Sequence, residues 1–164
     1  MSARLAPTPA WRQRPMRLAD LDAVLAVEVQ AYGHPWTRAN FVDSLAVGYL
    51  AELLEDGQDR VIAYLLAMQG YEETHLLNLT VLPAMQGRGI GRTLLDQLIE
   101  RTRERGDGKL WLEVRQSNDV ARRLYRRAGM AEVGIRRGYY PDAGGRREDA
   151  VVMQLTLGDD DALD

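Results

Sequence analysis

Cysteine is absent from the 164 residues. That excludes a thiol nucleophile, a disulfide framework and any thiolate-bound metal. Imidazole is scarce: His34 and His75 are the only histidines, and their separation offers no metal-ligand spacing. No apolar run approaches the ~20 residues of a membrane span. Met1–Pro9 carries no apolar signal core, so a cytoplasmic, metal-free protein with no membrane partner is expected. Lysine occurs once, at Lys109, so nearly all positive charge is arginine. The pairs Arg122-Arg123 and Arg126-Arg127 read first as a solvated helix face. The net charge of −3 rests on Asp159, Asp160, Asp161 and Asp164 at the end of the chain. Without them the remainder is slightly basic, with no stripe suited to nucleic acid.

What is present is enough apolar residue, 46%, for one substantial core. Residues 1–13 read as a flexible leader, 14–157 as a single domain and 158–164 as an acidic flexible tail. Arg14–Arg17 is a candidate first strand. An amphipathic helix follows from Asp20, and Thr37 is placed to cap a second one through Leu45. Tyr49–Leu54, Val61–Met68 and Thr74–Leu82 read as strands, the first two joined by a hairpin turn at Asp56-Gly57. Next come a helix from Gly89 to about Arg105, a strand over Leu110–Val114 and a helix from Asn118 to a glycine cap at Gly129. Strands near Ala131–Tyr139 and Ala150–Leu157 close the chain. This order predicts a mixed α/β sheet with helices on its faces.

Gln86-Gly87-Arg88-Gly89-Ile90-Gly91 is the most specific stretch. It joins an apolar strand to a helix in which Leu94, Leu95, Leu98 and Ile99 recur at three- and four-residue steps. A glycine turn feeding a helix leaves backbone N–H groups unpaired, with the helix dipole behind them, and so predicts a site for a phosphate-bearing ligand. The Walker pattern fails, because Gly91 is followed by Arg92-Thr93. The dinucleotide fingerprint fails too: its third glycine is missing, and the strand lies mid-chain.

With its neighbours this turn resembles the GNAT family of acetyl-CoA-dependent N-acetyltransferases, whose pyrophosphate loop reads Gln/Arg-x-x-Gly-x-Gly/Ala. Leu110-Trp111-Leu112-Glu113-Val114-Arg115, Ser117-Asn118, Leu124-Tyr125, Gly129, Ile135–Pro141, Arg147–Ala150 and Pro35-Trp36 are similar to the RimI branch of that family. That branch acetylates the N-terminal alanine of a small-subunit ribosomal protein. The similarity spans about residues 16–157. Met130 stands where such chains usually carry Phe, a change that affects packing only.

The resemblance implies a mixed, mostly antiparallel sheet, splayed where acetyl-CoA binds. It implies acetyl-CoA as co-substrate, no metal, and a protein N-terminus, that of a ribosomal protein, as partner. It places the pyrophosphate on Gly87, Arg88, Gly89, Ile90, Gly91 and Arg92, where the physical argument already puts an anion. The pantetheine arm would lie along the backbone of Leu79, Thr80 and Val81, with a Val81 amide toward the thioester oxygen. Asn118, a helix cap in its own right, would stand near the same arm. Glu113 becomes the candidate general base, since alternation sets it with Trp111 and Arg115 on the strand face opposite Leu110, Leu112 and Val114. Tyr125 becomes the candidate acid for the departing thiolate, although its helix also carries Val120, Leu124 and Ala128 as a plain apolar face. Trp36, Tyr139 and Tyr140 are candidate walls of the acceptor cleft. An acceptor lysine or small amine, or a non-catalytic acetyl-CoA-binding module, remains open at this level.

Overall fold

A computed structural model describes residues 11–158, so most of the expected leader and the acidic run from 159 lie outside the described residues. In chain order the elements are β1 (Arg12–Pro15), α1 (Leu21–Ala31), α2 (Arg38–Ala46), β2 (Leu50–Glu55), β3 (Val61–Gln69) and β4 (Glu73–Val81). There follow α3 (Ile90–Glu104), β5 (Lys109–Arg115), α4 (Asp119–Arg127), β6 (Ala131–Pro141) and β7 (Arg147–Thr156). Among these residues the strands form a seven-stranded sheet in the order β1-β2-β3-β4-β5-β7-β6. Every pairing is antiparallel except β4 with β5. The architecture is the expected mixed α/β sheet, with β7 inserted between β5 and β6.

Side-chain spacing decides which helix covers which face. In α1, Leu21, Val24 and Val27 are buried with Phe41 of α2 against Leu53, Tyr64 and Leu66. In α3, Leu95, Leu98 and Ile99 are buried on the opposite face with Leu110, Leu112 and Tyr125 of α4. Each such fully buried aliphatic side chain contributes about 1.5–3 kcal/mol by its removal from water. Thr37 caps α2 as expected, its hydroxyl accepting from the Asn40 amide at 3.2 Å. α4 closes in a Schellman motif. Gly129, at φ 99, lets its own N–H reach Arg126 O and the Met130 N–H reach Tyr125 O, both at 3.0 Å. Tyr125 is thereby pinned by its own carbonyl.

Two local expectations are corrected. β1 runs over Arg12–Pro15 rather than Arg14–Arg17, because the Arg12 and Arg14 guanidiniums reach Glu55 on β2 from there, and Arg14 also reaches Asp20. Met16 then drops beneath α1 and is buried. Asp20 stands at the start of α1 as expected, at the end of a short 3-10 turn, where its carboxylate accepts from the Arg17 amide at 2.8 Å. The β2–β3 turn spans Asp56–Arg60, and its left-handed residue is Asp59, φ 59, rather than Gly57. The Asp56 carboxylate holds this wider turn by accepting from the Gln58 and Arg60 amides.

Two features of β4 prepare the site. Its ladder with β5 runs only from Glu73↔Lys109 to Leu76↔Leu112. Beyond Leu76 the strands part, and the sheet opens. The β3–β4 register also shifts, since Leu66 pairs with Asn78 and Ala67 with Leu76. Leu77 is the extra residue of a bulge. As a result Leu77 packs with the α1 cluster, and Asn78 bonds to Glu28 of α1 from the same face.

Candidate active site

The opening between β4 and β5 leads into a cavity of about 680 Å³. One end is the glycine turn. Gly87 and Gly89 adopt φ 79 and 80, left-handed values that glycine takes without penalty. The first amide of α3 to bond back within the helix is that of Thr93, to Gly89 O at 3.1 Å. The amides of Ile90, Gly91 and Arg92 are therefore free of helical partners and lie at the positive end of the dipole. Gly87, Gly89, Ile90, Gly91 and Arg92 border the cavity, whereas the exposed Arg88 stands outside its lining. The Ile90 side chain is buried beneath the turn, which leaves its amide as its contribution.

The wall of the cavity is β4. The Leu82 amide donates to Ile62 O at 2.8 Å. Alternation then turns the main chain of Thr80 toward β3 and that of Leu79 and Val81 away from it, into the gap. The carbonyls there have partners: the Tyr32 hydroxyl lies 3.3 Å from Leu79 O, and Gln86 Nε2 donates to Val81 O at 3.2 Å. Thr80 meets the cavity through its side chain instead. Its hydroxyl donates to Asn78 Oδ1 at 2.6 Å, so the Tyr32 hydroxyl, 2.7 Å away, donates to Thr80. Behind them Glu28 Oε1 accepts from Asn78 and Tyr64. Burial pushes the Glu28 carboxyl up and raises the Tyr32 phenol to about 12.

The far end is built by α4. Asn118 caps the helix, its Oδ1 accepting from the Ala121 amide at 3.1 Å, and it also lines the cavity. Tyr125 lines the same cavity from the opposite face of the sheet to Tyr32. Burial pushes its hydroxyl pKa up, and the neighbouring Tyr32 and Tyr140 push in the same direction, so it stays protonated. Arg123 and Arg127 border the mouth of the cavity, one helical turn apart. Arg122 and Arg126 turn instead to Glu132. The arginine run is exposed at Arg123, Arg126 and Arg127, as a solvated face requires, and it divides between the cavity mouth and Glu132.

Glu113 stands beside the opening on β5, its side chain 8% exposed. Its Oε2 lies 2.6 Å from His75 Nε2 and its Oε1 3.6 Å from Arg136 Nε. The imidazole of His75 stacks on Trp111, ring centroids 3.7 Å apart and planes 10° apart. Tyr139 and Tyr140 meet edge to face at 4.9 Å. Arg136 lies over Tyr139 and Arg115 over Tyr140. The nearby Glu113 carboxylate, after burial, raises both phenols, which sets the two tyrosines beside the acid. Trp36 is elsewhere: it packs on Phe41 at 5.1 Å and borders a separate hollow against α2.

The structure therefore brings together the glycine turn, β4, Asn118 and Tyr125, and sets Glu113, Tyr139 and Tyr140 beside them. It leaves Trp36 and the Arg88 side chain outside the cavity lining. Tyr32 was not singled out from sequence, and His75, Arg123 and Arg127 were not assigned to the site. For the arginines, the four-residue spacing was the available signal.

Residues 16–130 match the Acetyltransferase (GNAT) family. The chain belongs to the GNAT acetyltransferases. The [ribosomal protein bS18]-alanine N-acetyltransferase of Salmonella typhimurium is 41% identical to this GNAT chain over 138 residues, covering 84% of it and 92% of the relative. The protein of the same name from Escherichia coli K12 is 38% identical over 143 residues, covering 87% and 95%. The crystal structure of the ribosomal-protein-S18-alanine N-acetyltransferase from Escherichia coli superposes with a TM-score of 0.83 at 35% identity, over 94% of this chain and 99% of that one. Ard1 from Thermoplasma volcanium shares the fold, with a TM-score of 0.80 at 20% identity, over 92% of this chain and 99% of that one. Like its relatives, this GNAT member is an acyltransferase. Among the described residues no helix is long and apolar enough to cross a membrane.

Proposed function

We propose that this enzyme transfers acetyl from acetyl-CoA to the α-amine of a protein N-terminus, the acceptor being the N-terminal alanine of ribosomal protein bS18. The observation that carries the reading is one continuous track. It runs from the free amides at the start of α3, along the exposed main chain of Leu79 and Val81, to Tyr125, with Glu113 beside the same opening. Similarity to the alanine N-acetyltransferases supports the choice of acceptor.

The residues present fit acetyl-CoA. The unpaired amides of the turn suit a pyrophosphate, and Arg92, Arg123 and Arg127 add positive charge around the same mouth. The Leu79 and Val81 main chain suits the pantetheine amides, with Asn118 close by. Acetyl-CoA supplies an activated acetyl thioester when bound. The Val81 N–H faces the gap and is placed to donate to an oxygen that gains negative charge there. Glu113 takes the proton of the acceptor amine. The demand is modest, because an α-amine titrates near ~7.7–8.0 against ~10.4 for a lysine ammonium. Tyr125, held neutral by burial, gives its proton to the departing sulfur. Tyr139, Tyr140 and Arg136 lie beside Glu113 and would border the acceptor side.

Thiol release from acetyl-CoA with two peptides tests this. One carries a free N-terminal alanine and no lysine; the other has a blocked N-terminus and one internal lysine. Turnover on the first alone supports the proposal. Turnover on the second alone moves the acceptor to lysine, and silence on both with tight acetyl-CoA binding leaves a small-amine acceptor, a stricter peptide acceptor or ligand sensing in its place.

A further inference from the structure

His75 has no part in the reaction as written above, yet it makes the shortest contact to the proposed base. It lies on β4 opposite Trp111, one register step before the ladder with β5 ends. Stacking on the indole fixes the plane of the imidazole. In that plane Nε2 reaches Glu113 Oε2 at 2.6 Å. An imidazole nitrogen meets a carboxylate that acts as a base only through an N–H, so the contact puts a proton on Nε2. Oε2 is then occupied. Oε1 faces Arg136 across a longer 3.6 Å, and that guanidinium is half exposed.

We infer that His75 is a positioning residue, gripping Glu113 by Oε2 so that Oε1 is the oxygen that takes the proton of the acceptor amine. The inference rests on Glu113 being the base. In the step, an N–H bond of the amine breaks and its electron pair stays on nitrogen. A lone pair of Oε1 forms the new O–H bond, and His75 keeps its own proton throughout. Trp111 is part of the device, because it holds the imidazole that holds the carboxylate. A glutamate on three rotatable bonds, released from that grip, loses its aim.

The test compares the full-length wild type with His75→Leu, His75→Gln, Glu113→Gln and the double variant Glu113→Gln/His75→Leu. The readouts are kcat, KM and the thermal midpoint on an N-terminal alanine peptide, together with ring-nitrogen NMR shifts of the wild type. His75→Leu is expected to lower kcat by about ten- to hundredfold, the scale of a misplaced catalytic group. KM for acetyl-CoA and the thermal midpoint should stay unchanged. His75→Gln, whose side-chain amide offers an N–H to Oε2, should recover most of the rate. In the Glu113→Gln background His75→Leu should cost nothing further, since it acts through Glu113. The NMR spectrum should show Nε2 carrying the proton. An unchanged kcat in His75→Leu, a fully additive double variant, or an Nδ1–H tautomer overturns the inference while leaving the base in place. An unchanged kcat in Glu113→Gln overturns the base, and the inference with it.

Discussion

Gly89 and Gly91 sit two residues apart in one motif, and their alanine substitutions should have opposite signs. Gly89 holds φ 80 and ψ 8, and a Cβ built on it meets nothing within 4 Å. The penalty of Gly89→Ala is therefore conformational alone, about 1–2 kcal/mol for an L-residue in the left-handed region. Gly91 lies inside α3, where a Cβ would touch Leu124 Cδ2 and Val81 Cγ2 at 3.5 Å, an ordinary contact. Gly91→Ala then gains helix propensity, up to about 1 kcal/mol. In a domain of this size each kcal/mol moves the thermal midpoint by about 2–4 °C. Differential scanning calorimetry should put Gly89→Ala about 2–8 °C below the wild type and Gly91→Ala level with it or slightly above. Gly89→Ala should also raise KM for acetyl-CoA, because strain in the turn rotates the amides that face the anion. If both variants shift the midpoint in the same direction, or Gly89→Ala leaves midpoint and KM alone, the left-handed turn is not what builds the anion site.

Glu113→Gln should lower kcat on an N-terminal alanine peptide by about a hundredfold with an unchanged thermal midpoint, the low end for general bases because the amine is a weak base; an unchanged rate at every pH removes Glu113 from the chemistry. Tyr125→Phe should lower kcat moderately, about tenfold, since a thiol of pKa ~8.5 leaves tolerably unaided. Burial raises the Tyr125 pKa, so that loss should be constant through neutral and mildly alkaline pH, and a loss that fades as pH rises would contradict its role as a protonated donor. Glu28 is fully buried, and burial raises its folded pKa above the unfolded value of ~4.3. Its contribution to stability is complete below that unfolded value and is lost as pH climbs through the folded one. The neutral Glu28→Gln should therefore gain on the wild type as pH rises from about 4.3, and a variant urea midpoint that instead falls relative to the wild type as pH rises would contradict the burial of that carboxyl.

Much of this architecture is written locally. The alternation in Leu110–Val114, the apolar steps of Leu94–Ile99, Thr37 as a cap and Gly129 as a stop each act within a few residues, and each element forms where its pattern lies. The glycine turn belongs with them, because left-handed φ and a helix start are local physics. What was not legible depends on partners far away in sequence. The insertion of β7 between β5 and β6 is a choice among pairings that all satisfy the same alternation. The β4 bulge hides in an apolar run where Leu76, Leu77 and Leu79 look interchangeable, and only Asn78 reaching Glu28 marks the flip. In the sequence His75 is only one of two histidines without metal-ligand spacing. Its meaning comes from the parallel register that sets it against Trp111 and within reach of Glu113. Glu113, Tyr125 and the acetyl-CoA contacts were named through family resemblance. Arg123 and Arg127 do stand on an exposed helix face, and only the fold shows that this face also borders the cavity.

The central claim is that the acetyl group goes to the α-amine of an N-terminal alanine. The most direct measurement is fragmentation mass spectrometry of ribosomal protein bS18, with alanine at its free N-terminus, after incubation with the full-length enzyme and acetyl-CoA. One acetyl group is expected, located on the α-nitrogen of that alanine, and none when the N-terminus is blocked beforehand. Acetyl groups on lysine side chains with the α-amine left free would contradict it.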